Sequence, residues 1–451
     1  MAKAQGMCSH DALQLESSPW AEEAGFERAN PDRRLAATTR SGRNPLAAKG
    51  QASKTLEKLT QDAADKLAPA FPGPLLLPKD DLHWDPDCPP QSFRSWLNEK
   101  ERNKPTKKRK TLYVAAVPEI TSDMPFMEGW QQPVDAFGQH LEKLDPPPAE
   151  DIVKYLTAFY QGLPVKTFEP RLRFVPWQEK KSSKPTDDTE YVGLATRDDC
   201  TRIRARPSPD GVFKRQLNLE DLLDAAIEML PDDAYSIILL IDQDMYESED
   251  DDFCCGRAYG GSRVCVVSMA RYHPALDALQ GIDYQHLWPA SHCKAFVDSL
   301  CAVEGLKAAK RKKPSPRDSS FPLRRAIEAS KGVLVPSTPE ARRGLWFSRL
   351  ARTVVHELGH CLGMGHCVYY ACNLQGTAGM VEDVRQPPYL CPICLSKISH
   401  AVAYELQGRG ERRAEYVKER YQAIAHFCSD WKEVALFAGY GAWVTARLEE
   451  L

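Results

Sequence analysis

The chain has 451 residues, of which 43% are apolar and 27% are charged, so at least part of it can bury a hydrophobic core. Its formal net charge of −3 gives no electrostatic reason to expect nucleic acid or a membrane as a partner. No apolar run approaches the roughly 18 residues of a membrane span, and residues 1–20 lack the basic start and apolar stretch of a secretory signal. We therefore expect an intracellular, cytoplasmic protein, with nuclear import through short basic clusters such as residues 107–110 as an alternative.

The N-terminal region, residues 1–110, shows little sustained apolar periodicity. Residues 1 to about 75 are rich in Ala, Ser, Lys, Arg and Glu, and residues 70–110 are rich in proline and in charged residues. Such compositions disfavour a packed core. We predict that this region is mostly disordered or extended.

Strands and helices alternate from residue 111 onward. A compact apolar run predicts a strand at 111–120, and a continuous one predicts a buried central strand at 236–246, SIILLIDQDMY. Strands are also predicted at 165–175 and 261–274. Helical periodicity marks residues 151–163 and 217–231, with Asn218 as the N-cap of the second helix. This order predicts an α+β catalytic domain over residues 111–431, in which a mixed sheet packs with helices.

Two further segments complete the predicted organisation. Residues 275–340 interrupt the pattern with a basic, Pro/Ser-rich stretch, so we predict an insertion that is partly disordered. Residues 415–448 have the pattern of one or two helices, and the C-terminal helix is assigned to residues 432–451.

The stretch HELGHCLGMGHC, residues 356–367, carries the chemistry. Residues 344–362 can form one helix, on which His356 and His360 lie one turn apart on the same face, with Glu357 on the adjacent face. Gly363 can end the helix with φ > 0, so that His366 returns as a third nitrogen ligand. Three nitrogens leave one position of a zinc ion open, which is the catalytic arrangement. The alternative, a buried helix that happens to carry histidine, accounts for one histidine but not for three at ligand spacing.

Cysteines cluster directly after this stretch. Cys367, Cys372, Cys391 and Cys394 can supply four thiolates to a closed, structural zinc site, and the alternative is four unlinked thiols. Cys361 is interpreted as a core residue of the helix. The isolated cysteines are interpreted as free thiols, namely Cys8, Cys88, Cys200, Cys265, Cys293, Cys301 and Cys428.

These residues resemble the archaemetzincin family. HELGHCLGMGH matches the metzincin form of the zincin motif, and HC-x4-C-x18-C-x2-C is similar to the family's second zinc site. The resemblance implies a zincin-like sheet above an active-site helix, a small lower subdomain with the four-cysteine zinc site, and two zinc ions per chain. It implies Glu357 as general acid/base. One departure is Leu374, which occupies the position where the family has a methionine beneath the catalytic zinc.

The motif predicts a zinc metallopeptidase in which Glu357 activates water against a peptide bond. The resemblance favours aminopeptidase action on small peptides. The alternative function is a zinc-stabilised interaction protein with little or no proteolysis. We expect a peptide or protein substrate as partner, no nucleic acid and no membrane; the sequence does not determine the oligomeric state, and a monomer is the default. Residues 261–269, GSRVCVVSM, are the candidate substrate-binding edge strand, with an interior strand as the alternative.

Overall fold

The structure, a computed structural model, describes residues 8, 10–49, 51–80, 89–177, 186–306, 320–333, 335–410 and 412–451. Cys88, predicted to be a free thiol, and most of the basic stretch of the insertion lie outside these residues. The strands are β1 (Thr111–Ala115), β2 (Glu119–Ile120), β3 (Val165–Thr167), β4 (Arg173–Pro176), β5 (Tyr191–Ala195), β6 (Cys200–Pro207), β7 (Arg215–Asn218), β8 (Ala234–Ile241), β9 (Asp244–Tyr246), β10 (Gly256–Tyr259) and β11 (Val264–Ser268).

Helices account for most of the remaining regular structure. They are α1 (Trp20–Glu23), α2 (Pro31–Ala37), α3 (Ser53–Leu67), α4 (Phe93–Leu97), α5 (Ala149–Phe159), α6 (Leu219–Glu228), α7 (Asp277–Gln280), α8 (Lys294–Val303), α9 (Pro322–Lys331), α10 (Pro339–Cys361), α11 (Met380–Asp383), α12 (Pro392–Ser399), α13 (Arg413–Asp430) and α14 (Ala435–Glu449). Short 3-10 turns lie at Pro125–Gln131, Ala270–Tyr272, Pro274–Leu276 and Ala290–His292, and His400–Leu406 is a π-helix. The predicted combination of a mixed sheet with helices is confirmed.

A five-stranded sheet has the order β10-β11-β8-β1-β3. Its strands are parallel except β10, which pairs antiparallel to β11. The predicted central strand is confirmed, because every residue of β8 is buried. Alternate side chains of β8 are buried in two different hydrophobic cores. Ile238 and Leu240 pack on the side of α5 and α10, and Ile237 and Leu239 pack on the side of α6 and the second sheet.

The second sheet has six strands in the order β2-β4-β5-β6-β7-β9. Residues 165–175, predicted as one strand, instead form β3 in the first sheet and β4 in the second. The chain changes sheet between them, where Phe168 and Leu172 are buried in the core between the two sheets. The prediction for α6 is confirmed, since the Asn218 side chain accepts a hydrogen bond from the Asp221 backbone N–H as its N-cap.

The interior strand position belongs to β11, which lies between β10 and β8. The prediction that residues 261–269 form the substrate-binding edge is therefore wrong, and its alternative, an interior strand, is correct. All five residues of β11 are buried, as expected for a strand with neighbours on both sides. The edge of the sheet on this side is β10.

The N-terminal region differs from the prediction of a mostly disordered or extended segment, because it contains α1 to α4. Buried side chains such as Phe71, Phe93 and Trp96 belong to the main core, so tertiary packing compensates for the weak local periodicity. The insertion at 275–340 likewise contributes α7, α8 and α9 within its described residues. Among the described residues, no helix combines the length and the apolar character that a membrane crossing requires.

Candidate metal centres

Helix α10 carries the first two histidines of the motif. It begins five residues before the predicted start, at Pro339, where the Thr338 side chain caps it by accepting from the Ala341 N–H. His356 and His360 lie on one face near its end, and their Nε2 atoms are 3.0 Å apart. Each Nδ1 is engaged elsewhere: His356 Nδ1 lies 2.7 Å from the Asn373 carbonyl oxygen, and His360 Nδ1 lies 2.7 Å from that of Met364.

Gly363 brings the third histidine back to the same point. Its φ is +73°, a left-handed conformation that glycine adopts without strain, and its N–H donates to the His360 carbonyl at 2.9 Å. The predicted bend is confirmed. The His366 ring centroid then lies 5.4 Å from that of His356 and 5.0 Å from that of His360.

The three histidines fit a divalent metal ion. One ring nitrogen from each lies within 4.8 Å of the others. Because the Nδ1 atoms of His356 and His360 face carbonyl acceptors, these atoms carry the ring protons, and the Nε2 lone pairs converge. Two facing lone pairs at 3.0 Å repel each other unless a cation lies between them. Burial, followed by the neighbouring histidines, also lowers the pKa of His356 well below 6.5, and burial lowers that of His360 to about 4, so both rings are neutral near pH 7.

Glu357 faces the neighbouring edge strand. The side chain is buried, and burial raises the pKa of its carboxyl to about 8, against the opposing effect of Arg257. A Cβ on Gly256 of β10 would stand 3.2 Å from Glu357 Cγ and 3.3 Å from its Oε1. Glycine at this position therefore lets the edge strand pass close to the carboxylate.

A cleft of about 530 Å³ opens over these groups. Its walls include β10, the end of α10 and the segment that contains α11, and His356, Glu357, His360 and His366 all line it. Arg257 of β10 also lines the cleft and pairs with Glu247 at 3.2 Å. The cleft therefore combines candidate metal ligands, a carboxylate and the edge of a sheet.

The four clustered cysteines form a second centre. Their Sγ atoms lie within 4.8 Å of one another, all four side chains are buried, and Cys367 Sγ is 3.5 Å from Cys391 Sγ. Two thiolates on one tetrahedral zinc are separated by about 3.8 Å, given Zn–S bonds of about 2.3 Å. Cys391 is the N-cap of α12, so it and Cys394 meet at the first turn of that helix. Four buried thiols at these distances, none of them in a disulfide, fit a closed Zn–thiolate site.

The comparisons with known proteins agree with this chemistry. Peptidase family M54 matches residues 334–400, the segment that holds the three histidines and the four cysteines. Archaemetzincin-2 of Macaca fascicularis is 24% identical over 381 residues, covering 83% of this chain and 79% of that protein. Archaemetzincin-1 of Mus musculus is 30% identical over 214 residues, covering 46% of this chain and 35% of that protein. Residues 334–400 therefore match peptidase family M54, and the relatives matched here are archaemetzincins.

These matches confirm the resemblance to archaemetzincins that the sequence motifs indicate. A solved structure, archaemetzincin from Methanopyrus kandleri, aligns over 66% of this chain and 97% of that chain, with 15% identity and a TM-score of 0.32.

Leu374 forms part of the floor of the histidine site. The side chain is fully buried, and its Cδ1 lies 2.9 Å from the point where a Cβ on Gly359 would stand. It thus packs against α10 between the two histidine turns. Its carbonyl accepts from the Cys367 N–H at 2.7 Å, which ties the floor of the histidine site to the cysteine cluster.

The N-terminal region also supports the histidine site, and the sequence analysis did not predict these contacts. Gln91 bridges the bend after α10: its Nε2 donates to the Gly363 carbonyl at 2.9 Å and its Oε1 accepts from the Gly365 N–H at 3.0 Å. Trp96 Nε1 donates to the Leu362 carbonyl at 2.9 Å. These partners are more than 260 residues apart in sequence, and no local pattern signals them.

Proposed function

We propose that this protein is a zinc-dependent peptidase of the archaemetzincin type, which hydrolyses peptide bonds in the cleft between β10 and the end of α10. The observation that carries the proposal is the convergence of the His356 and His360 Nε2 atoms, 3.0 Å apart, in the same cleft as the buried Glu357 carboxylate. His356, His360 and His366 would hold the catalytic zinc. When bound, zinc polarises a peptide carbonyl and acidifies water.

Glu357 would move the protons. Its carboxylate takes a proton from the attacking water and passes it to the leaving amine. Burial raises the pKa of Glu357 to about 8, which brings it into the range where one group can both accept and return a proton near neutral pH.

Substrate would bind along β10. This strand pairs with β11 on one side, and Gly256, Arg257 and Ala258 line the cleft on the other. An extended peptide can add to such an edge through main-chain hydrogen bonds. The close approach of Gly256 to Glu357 would put the scissile bond of a peptide bound there beside the base. The arrangement supports the metzincin-type, zincin-like architecture expected from the motif.

The second zinc would be structural. Cys367, Cys372, Cys391 and Cys394 leave no open ligand position, and zinc binding there would contribute folding energy to the segment below the cleft. Two zinc ions per chain would then serve the peptidase, one in each centre.

Aminopeptidase action on small peptides is the finer form of the proposal. Glu247 and Asp251 line the cleft and offer carboxylates to a free amino terminus. A tetrapeptide should then be cleaved faster than the same peptide with an acetylated amino terminus. Equal rates for both peptides would contradict aminopeptidase action while leaving internal cleavage intact.

The decisive experiment replaces Glu357 with Gln. Loss of a positioned base lowers kcat by roughly 100- to 10,000-fold, while the zinc content stays as in the wild type because Glu357 is not a ligand. Glu340→Gln, on the exposed first turn of α10, is the matched control and should keep full activity. Wild-type turnover by Glu357→Gln would contradict the role of Glu357. No turnover of a peptide library by zinc-loaded wild type would favour the alternative, a zinc-stabilised interaction protein.

A further inference from the structure

We propose that the protein holds a third metal ion, a zinc bound by Cys8, His286 and Cys293. One ligand atom from each of these residues lies within 4.8 Å of the other two. Cys8 Sγ and Cys293 Sγ are 3.3 Å apart, close to the 3.5 Å between Cys367 and Cys391 in the four-cysteine centre. Two thiolates and an imidazole are ligands that zinc accepts in proteins.

Histidine orientation supports the assignment. His286 Nδ1 lies 2.6 Å from the Asp283 carboxylate, and its Nε2 is buried without a hydrogen-bond partner among the described residues. A carboxylate on one ring nitrogen fixes the tautomer and turns the other nitrogen toward a metal. The stacked Phe296 ring, 4.0 Å from the His286 ring with an interplanar angle of 9°, further limits its rotation.

The two cysteines are brought together by backbone pairing rather than by chance contact. Cys8 N–H donates to the Gln285 side chain at 2.9 Å. Leu13 forms an antiparallel bridge with Cys293, and the Gln14 N–H donates to the His292 carbonyl at 2.8 Å. The Lys294 N–H returns a hydrogen bond to the Ala12 carbonyl at 2.8 Å. Hydrogen bonds between two segments 285 residues apart in sequence therefore place Cys8 next to Cys293.

Solvent can complete the coordination. Cys8 is half-buried and lines a separate cavity of about 280 Å³. Water from this cavity would occupy the fourth position of a tetrahedral zinc. On binding, both thiols lose their protons to solvent, so the ion is held by two thiolates and a neutral imidazole. The ion would fasten the first described residues to the segment before α8, away from the cleft.

Metal analysis of the full chain tests the site. Protein purified with a thiol reductant and loaded with Zn²⁺ should contain one zinc more per chain than the Cys8→Ser/Cys293→Ser double variant. Cys200→Ser, at an exposed free thiol, is the control and should match the wild type. Asp283→Asn should weaken zinc binding at this site by roughly 10- to 100-fold, because the histidine loses its orienting carboxylate. Asp298→Asn, which removes a partner of Lys294 in the same part of the chain, should not weaken it. Equal zinc content in the wild type and the folded double variant would overturn the proposal.

A second measurement needs no variant. Zn²⁺ should protect Cys8 and Cys293 from alkylation by iodoacetamide, and a chelator should restore their reactivity, while Cys200 reacts in both states. Equal alkylation of Cys8 and Cys293 with and without Zn²⁺ would contradict the site. So would recovery of a Cys8–Cys293 disulfide from the zinc-loaded protein. Neither measurement depends on peptidase activity, so it tests the third metal site independently of the proposed peptidase function.

Discussion

Replacement of Leu374 by Ala should destabilise the protein and loosen the histidine site. Leu374 is fully buried against α10, with Cδ1 2.9 Å from the point where a Gly359 Cβ would stand. The change removes three carbon atoms, which costs about 2.4 kcal/mol at about 0.8 kcal/mol for each buried group. The cavity adds to this, because α10 and the cysteine centre hold the walls apart. We expect a total of about 3–5 kcal/mol.

Zinc binding should weaken in the same variant. Asn373, the neighbour of Leu374, supplies the carbonyl that orients His356, so a shift of this turn disturbs the ligand directly. Leu374→Met, which nearly conserves the side-chain volume, is the matched control and should cost less than about 1.5 kcal/mol.

Urea unfolding at saturating zinc measures the stability, and competition with a chromophoric chelator measures zinc affinity. A cost below about 1 kcal/mol for Leu374→Ala would refute the packing argument, as would an equal cost for Leu374→Met.

Three other changes test separate parts of the structure. Gln91→Ala should lower the free energy of unfolding by about 1–3 kcal/mol, because two backbone groups of the bend lose their hydrogen-bond partner. It should also lower zinc affinity at the histidine site. Gln51→Ala, on the surface, serves as control in the same unfolding assay. His273→Asn should reduce acid sensitivity. Burial lowers the folded pKa of His273 from 6.5 to about 4, so its contribution to stability is complete above pH 6.5 and is lost as the pH falls toward 4. About 2 kcal/mol is lost by pH 5 in the wild type and not in the variant, and equal pH profiles in urea unfolding would contradict this. Cys391→Ser/Cys394→Ser should lower the zinc content by one ion per chain, measured by mass spectrometry of the metal; an unchanged content would argue against the four-cysteine site.

The candidate site was the most predictable part of the fold, because its geometry is local. Spacing of four residues on a helix places His356 beside His360, and one glycine decides where His366 returns. These relations hold within eleven residues, so the sequence alone predicts them. The cysteine cluster is similar, since Cys391 and Cys394 meet within one turn of α12.

The position of a strand within its sheet was less predictable. Residues 261–269 have alternating apolar residues and a preceding glycine, a pattern that fits an edge and an interior strand alike. The neighbours of a strand decide between them, and β10, which takes the edge, is four residues long with no fully buried residue. Residues 165–175 contain Pro170, which disfavours one continuous strand, but the sequence does not show that the two halves enter different sheets.

Contacts between segments that are distant in sequence could not be predicted from local sequence patterns. Cys8 and Cys293 are each isolated in sequence, and only the folded chain brings them to 3.3 Å. The prediction of disorder for residues 1–110 rests on composition, which indicates only whether a segment can form a core by itself. This region instead packs into the core of the domain that follows, where Trp96 and Phe71 are almost completely buried.

That packing has a consequence for biosynthesis. The Trp443 indole donates to the Ala70 carbonyl, 373 positions earlier, and the Gln91 contacts span more than 270 positions. At translation rates of about 5–20 residues per second, roughly 20–75 seconds separate the emergence of Ala70 from that of Trp443. During this interval Phe71 and its apolar neighbours lack the surfaces that will cover them. We therefore expect the earliest segment to be most prone to aggregation before the C-terminal helices have emerged.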